Sequence, residues 1–522
     1  RRVVLPPYLP NVSDSVTVSI IREDCHCLSD DGHCRRRSGK IATVRNFKRG
    51  HKMASRLQNG FLLAAICLVS RVAAMDNLSV AFEWKQLDFA YSNEEARQEA
   101  KAIGEFIPEN NIPVGLEVFG DRLFVTIPRW KAGVPASLAY GIGRVILYVL
   151  RHNGHIQNIF TAEPGAVPEL VSPYRIRADR CGRLWTLDSG VTEILNNSTQ
   201  LIPPQIVVYD LRTDTLTKRY EIPADQIEPK SFFANIAVED TSCEDSYAYA
   251  ADQGSPGLIV YSWKSNESWR IKHHYFYPDP LAGDFTVSGI NFQSNDAVLG
   301  LGLSGPGADG FSTLYFHPLA STNEFSVSTK VLRNKTVAEE SFDEFKLLGN
   351  RGPNAQSSVE FVDKHTGVLF YALVNLNAVA CWKTTNKAYT IESQGRIFMS
   401  NVTMVYPNDV KVDDKGSLWV LSDRLPTFKY GQLNPDEVNF RILTASVKDA
   451  ISGTACDVNV NSIDIINKFK EITSNLYPDK LNPFAKTNKS STATGSSMVF
   501  APALSLIIIQ LLFLVLFTAR MH

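Results

Sequence analysis

The sequence predicts an all-β chain folded as a six-bladed β-propeller, and three observations lead there. First, the stretch "DRCGRLWTLDSG" (Asp179–Gly190) returns in close form as "DDKGSLWVLSDR" (Asp413–Arg424). Each runs acidic residue, glycine turn, Leu-Trp, then an apolar position beside Ser and Asp. Looser copies start at Gly115, Asn235, Gly289 and Ser358, which makes six. Second, the alternation in "LEVFGD", "RIRAD" and "VKVDD" has period two, the mark of strands. Third, the second-strand anchors Phe124, Trp185, Tyr249, Leu299, Phe370 and Trp419 fall 49 to 71 residues apart, room for four short strands and their loops. A unit of that size cannot bury both its faces alone. Set radially, neighbours cover each other and leave only short edges.

The elements follow in chain order. Residues 1–52 hold eleven Lys/Arg and five Asp/Glu and precede the first methionine, Met53. They read as translation of an upstream untranslated region and are set aside. Their Cys25, Cys27, His33 and Cys34 have a spacing that fits no common zinc pattern. Residues 53–74, "MASRLQNGFLLAAICLVSRVAA", have the three parts of a secretory signal: Arg56, the apolar run Phe61–Val69, and a small-residue exit at Val72-Ala73-Ala74. The propeller is expected over 75–460. Its Ser79–Tyr91 stretch is strand-like and suited to closing the ring against the last blade, and "SNEEARQEAKAIGEF" reads as a short helix. Residues 461–497 form a polar linker. Residues 498–519 carry no charge and are long enough to span a bilayer. Two readings of that segment stay open, a transmembrane helix and a signal for a glycosylphosphatidylinositol (GPI) anchor. Either one tethers the body outside the cell.

Cysteines and sequons fit export. Four of the eight cysteines, Cys181, Cys243, Cys381 and Cys456, fall in the propeller. Four allow three connectivities; the sequential one, 181–243 and 381–456, links adjacent blades with least strain on the ring. Asn77, Asn196, Asn197, Asn266, Asn334, Asn401 and Asn488 head N-x-S/T sequons. A net charge of -1 gives no footing for nucleic-acid binding.

From about Phe82 to Asp457 the chain resembles the Yellow / major royal jelly protein family of insects. The resemblance rests on "FIPENNIPVGLEVFGDRLFVTIPRWKAGVPASL", "SPYRIRADRCGRLWTLDSG" and "CEDSYAYAADQGSPGLIVYSW", followed by the four cysteines. It implies a secreted six-bladed propeller with a role near cuticle pigmentation, melanin or catecholamine chemistry. It does not imply one activity: some relatives resemble dopachrome-converting enzymes, some bind biogenic amines, and some are nutritive. The hydrophobic C-terminal segment departs from the soluble pattern of many members.

Function is expected at one mouth of the central channel, where loops from every blade converge. Polar residues stand at strand starts there: Tyr174 and Arg175, Asn235, Ser288, Gln356 and Ser357, Asn408 and Asp409. As a set they suggest a polar pocket for a small molecule, a catechol or biogenic amine, with Asp409 as counter-charge and Tyr174 or Tyr371 as an aromatic wall. No cofactor, metal ligand or catalytic residue is assigned. There is no G-x-S-x-G elbow, Walker loop or dinucleotide fingerprint. His273 and His274 are adjacent, so on a strand they would point to opposite faces. Two alternatives to a binding role remain: a dopachrome tautomerase, and a metal-dependent lactonase using Asn235, Asn408 and Asp409.

Overall fold

A computed structural model describes residues 77–141, the backbone of 147–149, and 169–457. The leader, signal segment, polar linker, hydrophobic C-terminal segment and Asn488 lie outside these residues. Among the described residues, six four-stranded antiparallel sheets form the blades of a propeller. From the axis outward, blade one is Gly115–Phe119, Arg122–Thr126, Leu138–Gly141 and Leu147–Val149. Blade two is Pro173–Ala178, Arg183–Asp188, Gln205–Asp210 and Thr215–Glu221. Blade three is Phe233–Glu239, Tyr247–Asp252, Gly257–Ser262 and Glu267–Ile271. Blade four is Val298–Leu303, Thr313–Pro318, Asn323–Ser328 and Lys346–Asn350. Blade five is Glu360–Asp363, Val368–Leu373, Ala378–Lys383 and Gln394–Met399. Blade six is Pro407–Val412, Ser417–Ser422, Phe440–Ser446 and, outermost, Ser79–Trp84. Each innermost strand packs on the next, and the last on the first.

The ring closes as the sequence suggested: Ser79–Trp84 runs antiparallel to Phe440–Ser446, pairing Ser79 with Thr444 and Trp84 with Phe440. The expected helix forms at Glu94–Ala102. Its N-cap is Asn93, whose side chain accepts from the Ala96 N–H at 2.8 Å.

The repeated phrase now has a physical reason. Asp179 accepts from the backbone N–H groups of Cys181 and Arg183, both at 2.9 Å, and from the Trp185 indole at 2.8 Å. Asp413 does the same for Lys415 (2.9 Å), Ser417 (2.8 Å) and the Trp419 indole (2.9 Å). One carboxylate thus closes the hairpin turn between a blade's two inner strands and steers the Trp six residues on. Gly182 and Gly416 sit in these turns at φ +75°, left-handed backbone that favours glycine.

The fourth copy departs from expectation. "INFQ" is not a blade strand: Ile290–Gln293 pairs with Asp284–Val287 in a separate two-stranded ribbon. Leu299 lies on the innermost strand of blade four rather than the second, where Phe316 stands. The other five anchors occupy second strands. "SND" (Ser294–Asp296) resembles a hairpin turn but joins the ribbon to the blade. The true inner turn of blade four is the longer Ser304–Ser312 segment.

Cys181 pairs with Cys243 and Cys381 with Cys456, each bond joining adjacent blades. Between blades two and three, Trp185, Ile206 and Val208 pack on Ile236, Ala248 and Ile259. Similar apolar layers fill the other blade interfaces and supply most of the stabilisation. Among the described residues no helix is long and apolar enough to cross a membrane.

Candidate functional site

Every innermost strand runs away from one face of the ring, so the strand starts and the loops joining second to third strands gather on that face. There they enclose a cavity of about 240 Å³. That is slightly below the roughly 300–1,000 Å³ typical of drug-sized ligands, so the space suits one small ring system. The walls are largely aromatic. Trp130 comes from blade one, Tyr174 from blade two, Phe232 from the entry to blade three, Phe292 from the ribbon, and Tyr406 and Tyr430 from blade six. Trp130 and Tyr174 lie 5.3 Å apart between ring centroids, and Phe232 meets Tyr174 edge-on at 4.7 Å.

Two buried donors on this wall have no partner of good geometry. The Trp130 indole N–H and the Tyr174 hydroxyl lie against each other and have no other hydrogen-bond partner, although both residues are only 6% exposed. Burial pushes the Tyr174 hydroxyl well above its ordinary pKa, against the pull of Trp130 and Arg175, so it stays protonated and able to donate. The carboxylate on the wall is Asp296, whose Oδ2 accepts from the Ser294 hydroxyl at 2.6 Å. Lys429 stands exposed at the rim.

A charged layer closes the cup from beneath. Arg175 donates to the backbone carbonyls of Val114 and Asn408 and, at 2.8 Å, to the Asn408 side chain. Asp409 lies 3.8 Å from Arg175 Nε and 2.6 Å from Lys411 Nζ, and it accepts from the Leu116 N–H at 2.8 Å. Burial pulls the Lys411 ammonium down, while Asp409 and Glu117 resist that shift. Deeper still, Arg177 pairs with Glu117 at 2.9 Å and lies 4.7 Å over the Phe361 ring, crossing the axis from blade two to blade five. Behind the floor, Asn408 donates to Asp423. Burial raises the Asp423 carboxyl to about 7, partly offset by Asn408 and the Leu425 N–H.

The structure brings three of the sequence-derived residues, Tyr174, Arg175 and Asn408, to the cavity wall. Asp409 sits one layer below, committed to Arg175 and Lys411. Asn235 bridges to the Leu299 carbonyl at 2.7 Å and its neighbour's N–H. Gln356 donates to the Ala282 carbonyl at 3.0 Å and, with Asn375, pins the base of the ribbon. Ser357 donates to the Val359 carbonyl at 3.1 Å. Tyr371 is fully buried in blade five with its hydroxyl on Gln394 at 2.6 Å, away from the cup. Ser288 turns the ribbon tip at φ +50°. The His273 ring stacks on Phe345, and burial lowers its pKa to about 4. Sequence reasoning missed Trp130, Phe232, Phe292, Asp296 and Tyr430. The available signal was their position on the mouth face, Trp130, Phe232 and Asp296 in loops or a strand entry, Phe292 in the ribbon and Tyr430 at the end of the helix Leu425–Tyr430.

The family model described as Major royal jelly protein matches residues 171–456. Protein yellow of Drosophila pseudoobscura pseudoobscura is 41% identical over 418 residues, covering 77% of this chain and 72% of that protein. The chain belongs to the major royal jelly protein family. Protein yellow of Drosophila yakuba is 42% identical over the same length, covering 77% and 74%. In this royal jelly family member, two disulfides and Yellow relatives are consistent with an extracellular protein. The repeated phrase lies inside the matched span: "YRIRADRCGRLWTLDSG" (Tyr174–Gly190) supplies both cup residues (Tyr174, Arg175) and turn residues (Asp179, Trp185).

Proposed function

We propose that this chain is an extracellular Yellow-like protein that acts near the pigmentation and melanin pathway by holding a catechol or indole amine in the cup. The observation that carries the reading is the pairing of an aromatic wall with two buried donors that have only each other, Trp130 and Tyr174, and one wall carboxylate, Asp296. An aromatic ring packs against Trp130 and Tyr174, ring oxygens take these donors, and the ammonium group meets Asp296. The counter-charge therefore moves from Asp409 to Asp296, because Asp409 is occupied beneath the floor. Calorimetry with dopamine and serotonin tests this. A charge-assisted contact is worth about 1.5–3 kcal/mol, so Asp296→Asn weakens amine binding tenfold or more. Failure of both amines to bind below millimolar, or an Asp296→Asn protein that binds as well as the parent, overturns the assignment. In the same reading the protein is tethered through residues 498–519. Release from cells by phosphatidylinositol phospholipase identifies a GPI anchor, and retention identifies a transmembrane helix.

A further inference from the structure

Away from the cup, His317 on the second strand of blade four, Glu324 on its third strand and Glu360 on the innermost strand of blade five meet at the blade interface. None is more than 1% exposed. His317 Nδ1 lies 3.1 Å from Glu324 Oε2 and 3.4 Å from Glu360 Oε2. One ligand-type atom from each residue falls within 4.8 Å of the others. The two separations from His317 are those expected around one small divalent ion. Bonds of about 2.0–2.2 Å at a tetrahedral angle place neighbouring ligand atoms roughly 3.4 Å apart.

A second, independent observation concerns hydrogen bonding. Neither Glu360 carboxylate oxygen has a hydrogen-bond partner, nor has Glu324 Oε1. Of these carboxylate oxygens Arg351 hydrogen-bonds Glu324 Oε2, at 2.6 Å, and its other donors go to the Ser321, Asn323 and Ala355 carbonyls. The guanidinium bonds one of the two carboxylates directly, and the other has only the His317 imidazole at 3.4 Å beside it in a dry interface, where a poorly compensated charge is unfavourable. A proton on His317 Nδ1 lies between Glu324 at 3.1 Å and Glu360 at 3.4 Å, serves neither at an ideal distance, and leaves Glu360 Oε1 and Glu324 Oε1 bare. A metal ion serves both carboxylates and the imidazole together. The neighbouring strand leaves room for this grouping. A Cβ at Gly300 would stand 2.2 Å from His317 Nε2, and one at Gly302 would stand 3.3 Å from Glu360 Cγ.

We propose that His317, Glu324 and Glu360 bind a divalent transition-metal ion that ties blade four to blade five. One imidazole and two carboxylates form a nitrogen–oxygen set without thiolate, which suits zinc. The site is distinct from the cup, since none of the three residues lines it. The ion's role is structural, and the amine reading neither requires it nor follows from it.

The test uses the full-length protein purified from secreting cells without chelating resin. Metal analysis is expected to find about one zinc ion per chain. Removal by a strong chelator lowers the melting temperature, and added zinc restores it. Cobalt replacement gives a visible d–d band. Glu360→Gln is expected to carry at least tenfold less zinc, with a melting temperature that no longer responds to it. Because that variant can fail for other reasons, the parent alone also decides. A parent that is metal-free after purification in zinc buffer, with a melting temperature unmoved by zinc or chelator, overturns the proposal in favour of a shared proton. Zinc retained at parent level in Glu360→Gln overturns it as well, by placing the ion elsewhere.

Discussion

Removing the carboxylate that closes a blade's inner turn should cost blade two more than blade six, although the two phrases read alike. Asp413→Ala strips acceptors from two turn N–H groups and the Trp419 indole. The turn donors can turn to water, so the loss is about 2–3 kcal/mol, mostly from the indole and the slackened turn. Asp179→Ala removes the same three kinds of bond and also the partner of Arg183, whose Nε lies 2.6 Å from Asp179 Oδ2. The Arg183 side chain is only 9% exposed and stacks 5.2 Å over Trp185. It keeps the Cys243 carbonyl at 2.9 Å and the Ser246 hydroxyl at 2.7 Å, so its charge is not wholly stranded. Adding a partly relieved buried-charge penalty brings the expected loss to about 4–5 kcal/mol. Urea unfolding followed by tryptophan fluorescence measures both, provided the denaturant slope is unchanged. Equal losses for the two variants, or losses under about 1 kcal/mol, refute the view that one carboxylate organises each turn.

Two further predictions rest on the same structure. Replacing Cys381 and Cys456 together by Ala opens a loop with a sequence separation of 75 and is expected to lower the unfolding free energy by about 4 kcal/mol; a loss below about 1 kcal/mol would remove loop closure as the bond's contribution. Asp423 has a folded pKa of about 7 against 3.8 unfolded, so the native state holds the extra proton between those values. Its contribution therefore falls as pH rises from about 4 to about 7 and is flat above, a change on the order of 4 kcal/mol. The stability difference between Asp423→Asn and the parent should shift in favour of the variant over that window, and a difference independent of pH contradicts the buried-carboxyl assignment.

Much of the fold was readable because its determinants are local. The Asp–Gly turn and the period-two strands of blades two and six are encoded within about a dozen residues, so alternation finds them. Blade four was misread for an equally local reason. Its innermost strand, Val298–Leu303, carries Gly300 and Gly302 where other blades carry bulkier residues, and the ribbon just before it also alternates. The cup was readable only where it is made of strand starts, such as Tyr174 and Asn408. Its other walls come from loops, the ribbon and a short helix, and which of those segments meet depends on ring closure. Residue type misled as well: Asn235, Gln356 and Asp409 are polar because backbone groups and buried cations need them, not because a ligand does.

The strand that closes the ring also decides which way the molecule looks. Asn77, at the head of that strand, donates to the carbonyls of Ala450 (2.9 Å) and Ser452 (3.2 Å). Residues 447–457 lie beside the inner hairpin turns of blades five and six, near His365 and Lys415. Those turns are at the far ends of the innermost strands, so both ends of the described chain emerge together on the side away from the cup. A chain continuing past residue 457 therefore leaves the propeller from its back. The cup and its loops lie on the opposite face, away from that exit.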